Sequence, residues 1–240
     1  LIAGAGTGMQ AISVAARYGD NADVLAIALS RRSLAYAKAR AAQFGVENVH
    51  FAQADLLNLT AETTGLFDVV ESVGVLHHLA DPFEGWRALL RILRPGGLMT
   101  VGLYSAISRQ NIAALRAAPD YPGPGCSDEV ARDYRARLAQ SPEENGDLSA
   151  SRDFYALSNF RDLILHEHER PVSLNEIADF MRENDLEFRG FVLPSMVETR
   201  FLETFSSDAL PGAFENWAAF EEQYPRTFDG MYQFWCEKRQ

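Results

Sequence analysis

Two cysteines in 240 residues, Cys126 and Cys236, are too few for a disulfide framework or for a zinc site of clustered thiolates. They read as small apolar residues, buried or partly buried, in a reducing compartment, and the expected location is cytoplasmic. Basic residues are also scarce: 22 Lys and Arg stand against 33 Asp and Glu, a formal charge of −11. A partner held through phosphates needs a basic face, so nucleic acid is disfavoured. No apolar run approaches the ~20 residues of a membrane span, so no membrane partner is expected. Internal repeats and low-complexity runs are missing too. The chain also lacks an initiating methionine: it opens Leu1-Ile2-Ala3-Gly4, in mid-strand, and is expected to be cut from a longer protein whose upstream part would hold any targeting signal. What is present, 47% apolar and 23% charged residues, predicts a soluble globular fold with a full core.

The first hundred residues alternate short apolar runs with helical patterns. Leu1–Ala3, Val24–Leu29, Val49–Ala52, Phe67–Val75 and Leu98–Tyr104 read as strands. Met9–Arg17, Arg31–Phe44 and Pro82–Leu93 read as helices, the last opened by Asp81-Pro82. Arg94-Pro95-Gly96-Gly97 reads as a turn. Such alternation calls for a parallel sheet covered by helices on both faces. After Ser105 the rhythm breaks. Ala106 to Pro171 holds helical stretches, a Pro/Gly cluster (Pro119, Pro122-Gly123-Pro124-Gly125) and the polar segment Ser141-Pro142-Glu143-Glu144-Asn145-Gly146. The pattern then returns with a helix over Leu174–Asn184, capped by Ser173 with Glu176 at the capping-box spacing. A strand over Leu186–Leu193, a helix around Phe214–Gln223 and an aromatic-rich strand over Met231–Glu237 complete it. Tyr232 and Phe234 on one side, Met231 and Trp235 on the other, read as the two faces of an edge strand. The division expected is a core over 1–105, a helical lid over 106–171 at the sheet's carboxyl edge, and the rest of the core over 172–240.

The strongest chemical signal is Gly4-Ala5-Gly6-Thr7-Gly8, placed after a strand and before a helix. Glycines there allow a tight turn and let a ligand approach the helix N-terminus. The dinucleotide fingerprint would want its third glycine where Met9 stands, which speaks against a nicotinamide oxidoreductase. A lone glycine turn is weak, so its neighbours decide.

Taken with Gln53-Ala54-Asp55-Leu56, Phe67-Asp68-Val69-Val70-Glu71-Ser72, Val75-Leu76-His77-His78-Leu79-Ala80-Asp81-Pro82 and Leu93-Arg94-Pro95-Gly96-Gly97, in that order, the turn resembles the class I S-adenosylmethionine-dependent methyltransferases over Leu1–Tyr104. The resemblance implies a Rossmann-like, doubly wound, mostly parallel seven-stranded sheet with an antiparallel last strand and a helical insertion. It implies methyl transfer from S-adenosylmethionine to an O or N acceptor, a peptide, a protein or a small molecule. The opening residues, Leu76-His77-His78-Leu79, Asp153-Phe154-Tyr155, Arg161-Asp162-Leu163 and Gly230-Met231-Tyr232-Gln233-Phe234-Trp235 further resemble bacterial methyltransferases fused to tetratricopeptide repeats, so an upstream repeat domain is expected. The Pro-Pro-Tyr signature of base amino methylation is absent after the fourth strand, where Glu71-Ser72-Val73-Gly74 stands.

By that resemblance the cofactor site comprises Gly4, Ala5, Gly6 and Gly8; Ala28, Leu29 and Ser30; Asp55 and Leu56; Glu71 and Ser72; and His77. Asp55 would bond the adenine amino group. Two positions depart from the pattern: Ile2 stands where an acid often precedes the turn, and Ala28 where a carboxylate would bond the ribose. Losing that partner would weaken binding by about 1.5–3 kcal/mol, roughly ten- to a hundred-fold. An introduced substitution, a compensating contact such as Ser30, and a decayed site that leaves a binding module all remain open.

Methyl transfer needs positioning, water exclusion and sometimes removal of a proton. His77 reads as a cofactor-side contact, with proton transfer as its other role, and His78 as help in starting the next helix. Leu165-His166-Glu167-His168-Glu169 reads as a solvated charged stretch, with an acceptor-side role for His166; alternating histidines can pair on a metal, but no metal is expected. Tyr155 is the third catalytic candidate, although it and Tyr104 read first as packing aromatics with tethered hydroxyls.

Overall fold

The computed structural model describes residues 1–141, 143, 148–205, 214–229 and 231–239. Most of the polar segment 141–146, and Gly230 before the last strand, lie outside the described residues. Seven strands form one sheet: β1 (Ile2–Ala3), β2 (Val24–Ala28), β3 (Val49–Gln53), β4 (Phe67–Val73), β5 (Leu93–Leu103), β6 (Leu186–Phe191) and β7 (Tyr232–Lys238). Their order is β3-β2-β1-β4-β5-β7-β6. The first five are parallel, and β7 runs antiparallel to both β5 and β6. Strand order reverses between β1 and β4, so the crevice for a ligand opens there, beyond the strands' carboxyl ends.

The helices are α1 (Met9–Tyr18), α2 (Arg31–Gln43), α3 (Ala61–Thr64), α4 (Pro82–Arg91), α5 (Gln110–Ala117), α6 (Asp128–Gln140), α7 (Leu157–Ile164), α8 (Leu174–Glu183), α9 (Ser195–Thr204) and α10 (Phe214–Gln223). Their starts follow from local chemistry. The Ser30 hydroxyl accepts from Ser33 N–H at α2, and the Asp81 carboxylate accepts from Phe83 N–H ahead of Pro82 at α4. Ser173 and Glu176 close the expected capping box at α8, Ser173 N–H reaching Glu176 Oε2 at 2.8 Å.

Trp86 of α4 is fully buried and stacks on Phe180 of α8 at 4.3 Å, which fastens both helices to one face of β5 and β7. A smaller apolar cluster lies under α1 and α2 on β2. A third belongs to the helical segment that follows β5, where Ile112, Leu115, Tyr134, Leu138, Phe154 and Phe160 pack on one another. That segment leaves and rejoins the sheet at one spot, because Ser105 bridges Val172 in parallel.

Two expectations are corrected. Arg94-Pro95-Gly96-Gly97 is not a turn ahead of the strand but a bulge within β5: Leu93 pairs with Phe67 and Leu98 with Val69, so four residues bow out opposite Asp68, which Arg94 engages as an ion pair. The last strand is not an edge. β7 is hydrogen-bonded on both sides and β6 is the edge, because chain order and sheet order part after β5.

Candidate functional site

At the switch point the glycine turn meets the loop after β4. Gly4, Gly6 and Gly8 all have positive φ, at 86°, 50° and 87°. A Cβ on Gly4 would stand 2.2 Å from Val75 Cγ2, and one on Gly8 would stand 2.5 Å from Ala37 Cβ, so these two glycines allow the turn to sit against the β4 loop and α2. Gly6 differs. Nothing lies within 4 Å of where its Cβ would be, so it faces open space. Gly4 and Ala5 N–H both donate to the Ile27 carbonyl, which pins the turn to β2.

Gly6→Ala is therefore expected to cost only the left-handed backbone penalty, about 1–2 kcal/mol. Gly8→Ala carries that penalty plus the collision with α2, and should lose at least about 1 kcal/mol more. Urea unfolding of both variants checks this, and equal losses would show that α2 yields.

Around the turn, Glu71 of β4 is half-buried and accepts from Gln10 Nε2 at 2.6 Å. Glu71 pairs in register with Ile2, so a carboxylate stands one strand away from the acid missing at Ile2. Ser72 is fully buried, and its hydroxyl lacks a hydrogen-bond partner. Asp55 accepts from Leu57 N–H at 3.0 Å and from Asn58 Nδ2 at 3.3 Å, holding a tight turn in which Leu56 is buried. Ala28 is buried, Leu29 and Ser30 are exposed, and the Ser30 hydroxyl is engaged in the α2 cap. Gln53, paired with Ala28 across the ladder, donates its amide to the Leu29 carbonyl. No carboxylate stands at 28–30, and the Ser30 hydroxyl, which only accepts in the cap, keeps its own proton to donate.

His77 is fully buried beyond β4. Its Nδ1 accepts from Tyr104 N–H at 3.1 Å, so the proton of the neutral ring is on Nε2, which has no partner. Burial, reinforced by the charges of His78, Arg109 and His166, pushes its pKa down to about 2. A ring so held is a neutral packing and donor group whose one lone pair is already engaged by Tyr104 N–H. It stacks on Tyr104 at 3.6 Å, and the Arg109 guanidinium lies 4.0 Å from the same ring's centroid. Burial raises the Tyr104 phenol to about 12.

His78 does not start a helix; Asp81 does. His78 donates Nδ1 to the His168 carbonyl and stacks on His166, with ring centroids 3.6 Å apart. The stretch 165–169 is solvated only in part: Glu167 and His168 are exposed, and Leu165, His166 and Glu169 are not. Leu165 is buried, and the Glu169 side chain, 5% exposed, accepts from Arg109 Nε at 2.8 Å and Nη2 at 2.5 Å. Tyr155 stands apart, 65% exposed, with its hydroxyl on the Ser149 carbonyl.

A cavity of about 540 Å³ opens at the carboxyl edge, lined among others by Tyr104, Arg109, Asp153, Leu163, Asp229 and Met231; Tyr155 does not line it. Near its floor the buried Glu221 carboxylate accepts from Ser105 Oγ and Tyr232 Oη, and burial raises its pKa. Sequence reading missed Arg109, Glu169 and Glu221. Only a charge on an apolar helical face, as at Glu221, four residues after Trp217 and next to Phe220, could have flagged one of them.

Residues 1–97 match the sequence profile of the family described as "Methyltransferase domain". An uncharacterized protein of Synechococcus sp. is 32% identical over 204 residues, 80% of this chain and 48% of its own length. A ubiquinone biosynthesis O-methyltransferase of Acinetobacter baumannii is 33% identical over 106 residues, 44% of this chain and 42% of its own. The chain thus spans just under half the length of the curated relatives it matches. Among solved structures, PKMT2 from Rickettsia typhi, in complex with AdoHcy, superposes with a TM-score of 0.70 at 16% identity, over 98% of this chain and 47% of that one. The [4+2]-cyclase SpnF gives 0.51 at 18% identity over 99% and 73%. The fold is the Rossmann-like methyltransferase fold, and its first 97 residues carry the methyltransferase-domain signature.

No described helix is long and apolar enough to cross a membrane. The two cysteines are free, Cys126 half-buried and Cys236 buried, and burial pushes the Cys236 thiol up to about 12.

Proposed function

We propose that this chain transfers a methyl group from S-adenosylmethionine to an oxygen or nitrogen acceptor in the cytoplasm. The observation that carries the reading is the turn at Gly6, open beyond its Cβ position and set at the switch point of a segment matching a methyltransferase domain. The residues fit the cofactor on three sides. Gly4, Ala5, Gly6 and Gly8 would form the cradle, Asp55 would meet the adenine amino group with Leu56 beside it, and the unpartnered Ser72 hydroxyl, Glu71 and His77 would line the side nearest the acceptor. When bound, the cofactor supplies a methyl group activated on a sulfonium. The chain's own part is to hold donor and acceptor in line and to keep water out, and the stacked His77, Tyr104 and Arg109 would form a dry wall of that space, Tyr104 and Arg109 lining the cavity. His166 stands on the acceptor side.

The resemblance to repeat-fused methyltransferases supports a peptide or protein acceptor, presented with the help of an upstream domain, alongside a small molecule. The charge of −11 weighs against nucleic acid. Calorimetric titration with S-adenosylmethionine and its demethylated product tests the reading. Binding of both is expected; failure of both refutes it.

A second reading, a binding module with a weakened cofactor site, draws on Ala28, which stands where a carboxylate would bond the ribose. Ala28→Asp separates the two. It should tighten cofactor binding roughly ten- to a hundred-fold if the ribose lies at the end of β2. Unchanged affinity would place the ribose elsewhere.

A further inference from the structure

Three side chains from two distant parts of the sequence meet beside the cavity: His78 after β4, and Asp162 on α7 with His166 just beyond it. One ligand-capable atom from each lies within 4.8 Å of the others. The two imidazoles direct Nδ1 at the same oxygen, the His168 carbonyl, at 3.1 Å from His78 and 2.8 Å from His166. A carbonyl only accepts, so His78 Nδ1 carries the proton. His166 Nδ1 also stands 3.3 Å from His168 N–H, but its shorter contact is with the carbonyl. With the proton there, both Nε2 atoms keep a lone pair. His78 Nε2 is buried without a hydrogen-bond partner, and Asp162 Oδ1 stands 3.9 Å from it. A backbone carbonyl that fixes the tautomer of a histidine is the usual outer support of a metal ligand. Here one carbonyl supports two.

We propose that His78, Asp162 and His166 bind a divalent first-row transition ion through two imidazole nitrogens and one carboxylate oxygen. That donor set suits zinc or ferrous iron and leaves coordination positions open. Ligand atoms at about 2.0–2.1 Å from a tetrahedral ion stand roughly 3.3 Å apart, so separations of up to 4.8 Å must close by as much as about 1.5 Å. Asp162, with its side chain 63% exposed, and the half-buried His166 have room to do so, while His78 is fixed from both sides by His166 and the edge of Tyr104. Tyr104 and Leu163, the neighbour of Asp162, both line the cavity. A molecule there with a hydroxyl or amine lone pair has the chemistry to take an open position. The site differs from the pair of alternating histidines visible in sequence: His168 takes part only through its main chain.

The test uses the whole chain, stripped with a chelator and titrated with zinc by calorimetry and with cobalt by visible absorption. It stands apart from methyl transfer, since no cofactor is added. One equivalent of either ion is expected to bind, with the d–d bands of nitrogen-and-oxygen-ligated cobalt. Asp162→Asn and His166→Gln should each weaken binding at least ten-fold, while His168→Ala, which keeps the carbonyl, should bind as the parent does. Circular dichroism confirms folding of each variant, and the exposed Asp162 is the substitution least able to disturb it. No binding by the parent chain overturns the proposal. So does binding that survives both Asp162→Asn and His166→Gln.

Discussion

Glu169→Ala is expected to lower the free energy of unfolding by about 3–5 kcal/mol, the usual result of stripping one partner from a buried ion pair. Arg109 is 6% exposed and spends two of its donors on Glu169 and one on the Leu163 carbonyl. Arg116 adds a second guanidinium 3.7 Å from the same carboxylate. Without Glu169, two cations would face each other across a dry space next to Tyr104. The loss should fall on the junction that holds α5 against residues 166–170, because Arg116 also donates to the His166 carbonyl. Urea unfolding measures it. Replacing both partners, as Arg109→Met with Glu169→Leu, should recover part of the loss, since Arg109 is then no longer buried alone and only the more exposed Arg116 lacks the carboxylate. A single-variant loss below about 1 kcal/mol would mean that water reaches and screens the pair.

Acid should unfold the protein with a slope to which His77 contributes one full proton. In the unfolded chain this histidine titrates near 6.5, while in the fold it stays neutral down to about 2. Between those values the unfolded state holds one proton more, so stability drops by about 1.4 kcal/mol for each unit of falling pH. Above 6.5 the contribution is complete and flat; from pH 7 to pH 5 about 2 kcal/mol is lost. The cause is chiefly burial, and the charges of His78, Arg109 and His166 add to it. His77→Gln removes the titrating group and keeps an acceptor for Tyr104 N–H. Urea unfolding at several pH values should then show a slope smaller by about one proton between pH 6 and 4. Identical slopes would show that the His77 ring takes up its proton inside the fold.

The sheet and its helices were legible because each rests on local signals. Val24–Ala28 is apolar on both faces, Asp81-Pro82 and Ser173…Glu176 announce helix starts, and the glycines of 4–8 announce a turn. What escaped depends on contacts between distant residues. β7 takes its place between β5 and β6 through pairings such as Thr100 with Trp235 and Phe188 with Cys236, which no local pattern encodes. The charged run 165–169 reads as solvated because the partners of its inner residues, Arg109 just ahead of α5 and Arg116 within it, are 50 to 60 residues earlier in the chain. His78 reads as a helix start because His166 and the His168 carbonyl are invisible from its own neighbourhood. The bulge at 94–97 has the composition of a turn, and only the resumption of pairing on both sides distinguishes it.

The bridge between Ser105 and Val172 joins the two ends of the helical segment, Ala106 N–H donating to the Val172 carbonyl and Val172 N–H to the Tyr104 carbonyl, both at 2.9 Å. Mechanically it is a clasp. With its ends fastened at one point and its apolar residues packed on each other, the segment can lengthen or shorten without shifting the register of β5 or the start of α8. Doubling such a loop costs only about 0.6 kcal/mol in closure entropy. The wall that faces the cavity is therefore the exchangeable cassette of this architecture, and the sheet beneath it the fixed chassis.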